Sequence, residues 1–421
     1  MKPNHFSPSR PSADIARNLR TSFIAPRHFL VLPLALLLAP LGVLADDLDT
    51  LTFQAGQSLL HDSNVFRLSD SANSQAVLGT PGRSDTVMVS NLGIKLNKSY
   101  SLQRFELEAE LEDHHYGQYS NLNFTAVNYA AAWRWSVTPA LHGNLTSDRR
   151  EYVDNAADVQ NIGQLNRRTN RSTVLDAEYE IDGVWRVLGG VSERTSTSSL
   201  RDTFEGDSRI RGAETGVRYV FPSGTSMAYR FKKGNGDYTS GSQSPLFASS
   251  FNDTEHEARL DWAPSGSTTV QARLAHFDRS HPGLATRDYS GMVGQVNATW
   301  AVTGKTSIMA GAAQELGSYQ TTTASYYQGR RLFIAPTWKP TEKTAVRLRY
   351  DHGVRDFKGA LPGFANNGRR DRTNLLLLAY DWQVIRALKL TASVQRDTRK
   401  SSEPGFNYQS NAFGISAQAS F

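Results

Sequence analysis

The chain has 421 residues with 39% hydrophobic and 20% charged side chains, no cysteine, and a formal net charge of +6. The absence of cysteine excludes disulfide frameworks, thiolate metal sites and cysteine nucleophiles. Gly 32, Tyr 16 and Phe 19 favour strands and turns over long helices.

In chain order, the first element is an apolar stretch from Phe29 to Leu44, interrupted by Pro33 and Pro40. Arg10, Arg17, Arg20 and Arg27 precede it, and Val43-Leu44-Ala45 offers a small-residue cleavage site before Asp46. Residues 1–45 are therefore expected to be a secretory signal, too short and too proline-broken for a spanning helix. The basic stretch is long for such a signal, which leaves room for a start codon downstream of Met1. With Lys2 and the four arginines it carries five basic residues against Asp14, so its removal lowers the net charge from +6 to +2. The basicity is thus largely export signal and gives no reason to expect nucleic acid.

From Asp46 onward the sequence alternates with period two. A first strand from Leu51 to Gln57 leads into His61-Asp62-Ser63-Asn64-Val65-Phe66-Arg67 and a polar loop, Ser63–Gly82. Phe105, Leu107, Ala109 and Leu111 then alternate with Arg104, Glu106, Glu108, Glu110 and Glu112. Leu175, Ala177, Tyr179 and Ile181 alternate with Asp176, Glu178, Glu180 and Asp182, and the same unit recurs around Leu260 and Leu348. Each segment is a strand with one apolar and one ionised face. Tight turns are expected near Asn97–Leu102, Ser136–Ala140, Asp182–Val184, Pro222–Gly224, Pro264–Ser267, Thr303–Lys305, Lys339–Lys343 and Ile385–Leu388. Polar loops fall between them, among them Asp154–Arg168, Gly234–Asn252 and Asp356–Arg370. The spacing predicts about eighteen antiparallel strands forming one domain over residues 46–421, a transmembrane β-barrel with short periplasmic turns and longer extracellular loops.

All seven tryptophans, Trp133, Trp135, Trp185, Trp262, Trp300, Trp338 and Trp382, lie near proposed short turns on the apolar parity. Indole prefers the headgroup boundary, so these are candidate membrane-interface residues. The final strand, from about Tyr408, sets Phe413, Ile415, Ala417, Ala419 and Phe421 on one face. That pattern resembles the C-terminal signal read by the outer-membrane assembly machinery. A soluble sandwich would need a second apolar sheet and domain-sized breaks, and neither appears. The expected location is therefore the bacterial outer membrane, in contact with its lipid.

On the inward parity lie Arg104, Glu106, Glu108, Glu110, Arg134, Asp176, Glu178, Glu180, Arg186, Arg218, Arg230, Glu257, Arg259, Asp261, Arg273, Arg347, Arg349, Asp351 and Asp381. They are candidate pore-lining residues suited to hydrated polar solutes. Equally, they pair across strands and keep the interior wet.

The Asp62-Ser63-Asn64-Val65-Phe66-Arg67 stretch and its polar loop resemble the β-barrel porin family, in particular EpsL-type outer-membrane proteins of exopolysaccharide operons. The resemblance implies a conduit for extracellular polysaccharide, with periplasmic and inner-membrane synthesis proteins as partners, and carries no catalytic residues. A general small-solute porin and a loop-plugged scaffold barrel are the alternatives. The motif residues Asp62, Ser63, Asn64, Phe66 and Arg67 could bind sugar hydroxyls or a cation, or could turn the chain through Asx-type hydrogen bonds. Other chemistry fails on pattern. Gly304-Lys305-Thr306 lacks the upstream glycine of a phosphate loop, and His114-His115 point to opposite strand faces, a poor chelate. No nucleophile elbow or His-Glu-x-x-His occurs. No enzyme activity, cofactor or metal is expected.

Overall fold

The computed structural model describes residues 50–154, 163–200, 206–239, 246–365 and 368–421. The expected signal segment lies outside them. Eighteen strands follow one another: β1 (Leu51–Asp62), β2 (Asp85–Tyr100), β3 (Gln103–Tyr116), β4 (Phe124–Ser136), β5 (Leu141–Val153) and β6 (Arg167–Glu180). The middle set is β7 (Trp185–Ser198), β8 (Ser208–Val220), β9 (Ser226–Tyr238), β10 (Ser250–Ser265), β11 (Thr268–Ser280) and β12 (Tyr289–Thr303). The last are β13 (Thr306–Ser318), β14 (Tyr326–Thr341), β15 (Thr344–Lys358), β16 (Arg370–Ile385), β17 (Leu388–Ser401) and β18 (Tyr408–Ser420).

Each strand pairs antiparallel with its sequence neighbours, and β1 pairs with both β2 and β18. The sheet therefore closes on itself, which leaves no open edge. Phe53 and Phe421 complete the seam, exchanging N–H···O bonds of 2.7 and 3.0 Å. Connections alternate between short turns at one rim and longer loops at the other, as the periodicity predicts.

Exposure separates the two faces. Leu92, Phe105, Leu111, Val191, Leu274, Leu332 and Leu378 are exposed large apolar residues, all on one parity. Only hydrocarbon makes such a girdle cheap. No helix among the described residues is long and apolar enough to cross a membrane.

Several expected boundaries shift. β1 runs to Asp62, not Gln57, and β9, β15 and β6 extend into the segments expected as the loops Gly234–Asn252, Asp356–Arg370 and Asp154–Arg168. Backbone pairing continues past the apolar band, where polar residues on both faces hide the alternation. Two expected turns shorten because Pro264 and Pro340 stay within strands, at register shifts between Trp262 and Ser265 and between Trp338 and Thr341. A bulge tolerates the missing N–H. The Ser63–Gly82 loop contains an unforeseen helix, α1 (Ser74–Leu78), capped by the Asn73 side chain and ended at Gly79 with φ 73°.

Candidate functional site: the barrel interior

Parity sorts each strand into an inner and an outer row. On β3, Glu106, Glu108, Glu110 and Glu112 face inward, and Phe105 and Leu111 face out. From β4, Arg134 grips Glu106 with Nε at 3.0 Å and Nη2 at 2.9 Å, and Arg104 meets the same carboxylate at 2.9 Å. Lys95 reaches Glu108 at 3.2 Å, and the Asn91 amide donates to Glu110 at 2.8 Å. Asn144 links this group to the next, accepting from Arg134 and donating to Asp176 at 2.9 Å.

Further round the wall, Arg186 and Arg218 stand directly opposite each other. Glu178 resolves that clash by taking Arg186 at 2.9 Å and Arg218 at 2.6 Å; Glu180 lies 3.5 Å from Arg186. Arg230 pairs with Glu214 at 2.5 Å, and Ser226 donates to Asp261 at 3.3 Å. The densest cluster surrounds Glu257, whose side chain is fully buried. Lys232 donates to it at 2.7 Å, Arg259 and Arg273 also bond it, and Arg273 meets Glu255 at 2.7 Å. On the other side, Asp381 accepts from Arg347 at 2.9 Å and from Thr391 at 2.8 Å, and Arg349 clasps Asp351 at 2.5 and 2.7 Å.

The residues expected on the pore lining lie on the inner row, held by partners on neighbouring strands or, as with Arg349 and Asp351, on the same strand. These charges neutralise one another locally, which fixes long side chains against the wall. The inner surface is a mosaic of paired ions rather than one large field.

At the loop rim the Asp62–Arg67 stretch forms a knot. Asn64 N–H donates to Asp62 at 2.9 Å, and the Asn64 side chain accepts from Leu68 N–H at 2.9 Å and donates to the Leu68 and Gln409 carbonyls. Arg67, in the left-handed region at φ 54°, donates to Asp62 at 2.8 Å and to the Asn64 carbonyl at 2.5 Å, and its Nε lies 3.4 Å from Asp397. Ser410 also bonds Asp62, and Ser63 Oγ accepts from Asn411 N–H at 2.8 Å. Burial works against the Arg67 charge, but Asp62 and Asp397 outweigh it and raise its pKa above the ordinary arginine value. The knot pins the β1–β2 loop to β17 and β18. Phe66 and Leu68 then pack with Tyr119, Phe124 and the inward-facing Val87 and Val89, so the loop lies against the inner wall at β2–β4.

Four rim arginines had no sequence signal. Arg279 forks onto Asp253 at 2.7 and 2.7 Å and stacks 3.6 Å over Phe251. Arg369 forks onto Asp371, donates to Tyr319 Oη at 3.0 Å and lies near the Phe357 and Phe406 rings. Arg287 is buried and donates to the carbonyls of Leu246 and Thr321, while Arg399 donates to that of Phe406. The Arg287 carbonyl partners and the Arg369–Tyr319 contact lie on other hairpins, which only folding brings together. His281 is buried beside them; burial pushes its imidazole pKa down, against the opposing bond to Asp288.

The tryptophans all point outward near the short turns, six of them exposed, with Trp135 folded over Gly143. Phe413, Ile415 and Phe421 share that outer face. His114 points inward and stacks on Phe124, and His115 points out. Among the described residues no cluster could hold a metal ion.

With this geometry in place, comparison with known proteins is informative for residues 278–421, which match the family described as "Putative beta-barrel porin 2". That stretch is the end of β11 through β18. The chain is a closed eighteen-strand antiparallel β-barrel. No curated protein sequence matches it significantly. Among solved structures it is similar to Pseudomonas aeruginosa OccK1 (OpdK), with 11% identity, TM-score 0.47, and coverage of 88% of this chain and 99% of that one. P. aeruginosa OccK9 (OpdG) gives 12%, 0.48, 88% and 98%, and Acinetobacter baumannii OccAB3 gives 8%, 0.46, 88% and 99%.

Proposed function

We propose that the barrel is a passive channel for small, hydrated polar solutes across the outer membrane. One observation carries this reading: a closed eighteen-strand wall has a polar inner face that carries paired ions over much of its circumference. Among the described residues, the only elements besides strands are α1 and two short 3-10 turns, Ser120–Leu122 and Ala285–Arg287. Barrels of about 16–18 strands leave an aqueous channel when nothing fills them. Paired charges on the wall offer both donors and acceptors to replace a solute's hydration shell. In this reading the tryptophans anchor the periplasmic rim, and Phe413, Ile415 and Phe421 present the chain to the assembly machinery. Planar-bilayer recording of the purified protein should give ohmic conductance, and proteoliposomes should swell in mono- and disaccharides. A barrel that neither conducts nor swells would sink the proposal.

Polysaccharide export, with periplasmic and inner-membrane partners, rests on the resemblance at residues 62–67. Those side chains are occupied in the rim knot, which favours the small-solute reading over it. Deleting the gene should leave secreted polysaccharide unchanged; its loss would reverse that order.

A further inference from the structure

The outer face of β14–β17 carries charge that no described carboxylate neutralises. Arg372 and Lys400 point outward from directly opposed positions on β16 and β17. Like charges in facing positions repel. Arg396 also points out, opposite Leu376, and reaches only the Gln409 side chain, at 2.9 Å. The acid on this surface, Asp356, is already shared by Arg330 at 2.7 Å and Arg370 at 3.4 Å. None of Arg372, Arg396 and Lys400 forms an ion pair with a described carboxylate. By contrast, Arg209 and Arg211 on the outer face share Glu193, and Arg149 and Arg167 share Glu151.

Height gives the patch its meaning. On β16 the outer row runs Trp382, Tyr380, Leu378, Leu376, Asn374, Arg372. Ten residues at about 3.3 Å each, on a strand tilted about 40°, span roughly 25 Å, the height of the apolar band of such barrels. With Trp382 at the short-turn boundary, Arg372 and Lys400 stand at the opposite one, the headgroup layer of the outer leaflet. Arg396 sits lower, and its long stem lets the guanidinium rise to the same layer. Strands about 4.8 Å apart place these cations side by side, a spacing suited to a headgroup with more than one phosphate.

We propose that this face binds the phosphates of a multiply phosphorylated glycolipid in the outer leaflet, with acyl chains lying over Leu376, Leu378, Val394 and Phe413. The test is native mass spectrometry of the detergent-solubilised protein with diphosphorylated lipid A, dephosphorylated lipid A or phosphatidylglycerol. Wild type should retain diphosphorylated lipid A preferentially. R372Q/R396Q/K400Q should bind it roughly 100-fold more weakly, at about fivefold per cation near the membrane surface. R209Q should bind as wild type does. Unchanged conductance and unfolding midpoint would verify the fold of the triple variant; should it not fold, K400Q alone should lose about fivefold. The proposal is overturned if the variants bind like wild type, or if dephosphorylated lipid A or phosphatidylglycerol binds as tightly as the diphosphorylated form.

Discussion

Replacing Arg67 by alanine should loosen the loop rim more than any other single change in the knot. The side chain holds Asp62 at 2.8 Å, the Asn64 carbonyl at 2.5 Å and, more loosely, Asp397 at 3.4 Å. Its removal leaves two carboxylates only 7% and 13% exposed without their cation. Breaking a buried pair from one side costs about 3–5 kcal/mol, because the remaining charge is stranded. The left-handed backbone at residue 67 gives nothing back, since alanine is strained there as arginine is. Urea unfolding in lipid vesicles, followed by tryptophan fluorescence, should show the destabilisation. Proteolysis within the β1–β2 loop and increased channel noise should accompany it, because that loop lies on the inner wall. The double change D62N/R67M removes both charges and should recover much of the loss. An R67A protein with wild-type midpoint, protease resistance and noise would refute the argument that this ion pair anchors the loop.

Other consequences are equally direct. E257Q removes a charge shared by Lys232, Arg259 and Arg273, so the reversal potential in a salt gradient should move toward anion selectivity. A side chain at Gly236 would collide with the Phe251 ring, so G236V should cost about 1–3 kcal/mol by overpacking, read from the unfolding midpoint. Deleting Phe421 removes the two seam bonds to Phe53, at about 1 kcal/mol each; the fraction migrating as heat-resistant barrel in electrophoresis should fall. His281 has a folded-state pKa below its unfolded value. Its contribution to stability is full at neutral pH and is lost as pH falls below about 6.5 and on through the lower folded value. Loop-rim proteolysis should therefore rise on acidification, and H281Q should flatten that rise.

Much of this architecture is legible in residue order. Alternation such as Phe105 to Glu112 states both strand and facing, because period two leaves no other arrangement of apolar and ionised neighbours. Where both faces meet water the signal fades: Thr195–Ser198 and Gly234–Tyr238 are strand, though nothing in their pattern marks it. Helix α1 is too short for a period to register, and only Asn73 and Gly79 hint at its ends. The rim escapes for another reason. Asp62 meets Ser410 and Arg369 meets Tyr319 across 348 and 50 residues, and pairing at such range follows from closure, not from local sequence. The inner parity of Arg186 and Arg218 could be read from sequence; their shared dependence on Glu178 could not.

The double pairing of β1 also has a consequence for biogenesis. Its backbone needs β2 on one side and β18 on the other, so a chain halted anywhere before Tyr408 keeps one row of unpaired amides and carbonyls. Such a fragment carries its own mark of incompleteness: a sticky edge that a protease or a neighbouring chain can recognise, erased only when the last strand is laid down.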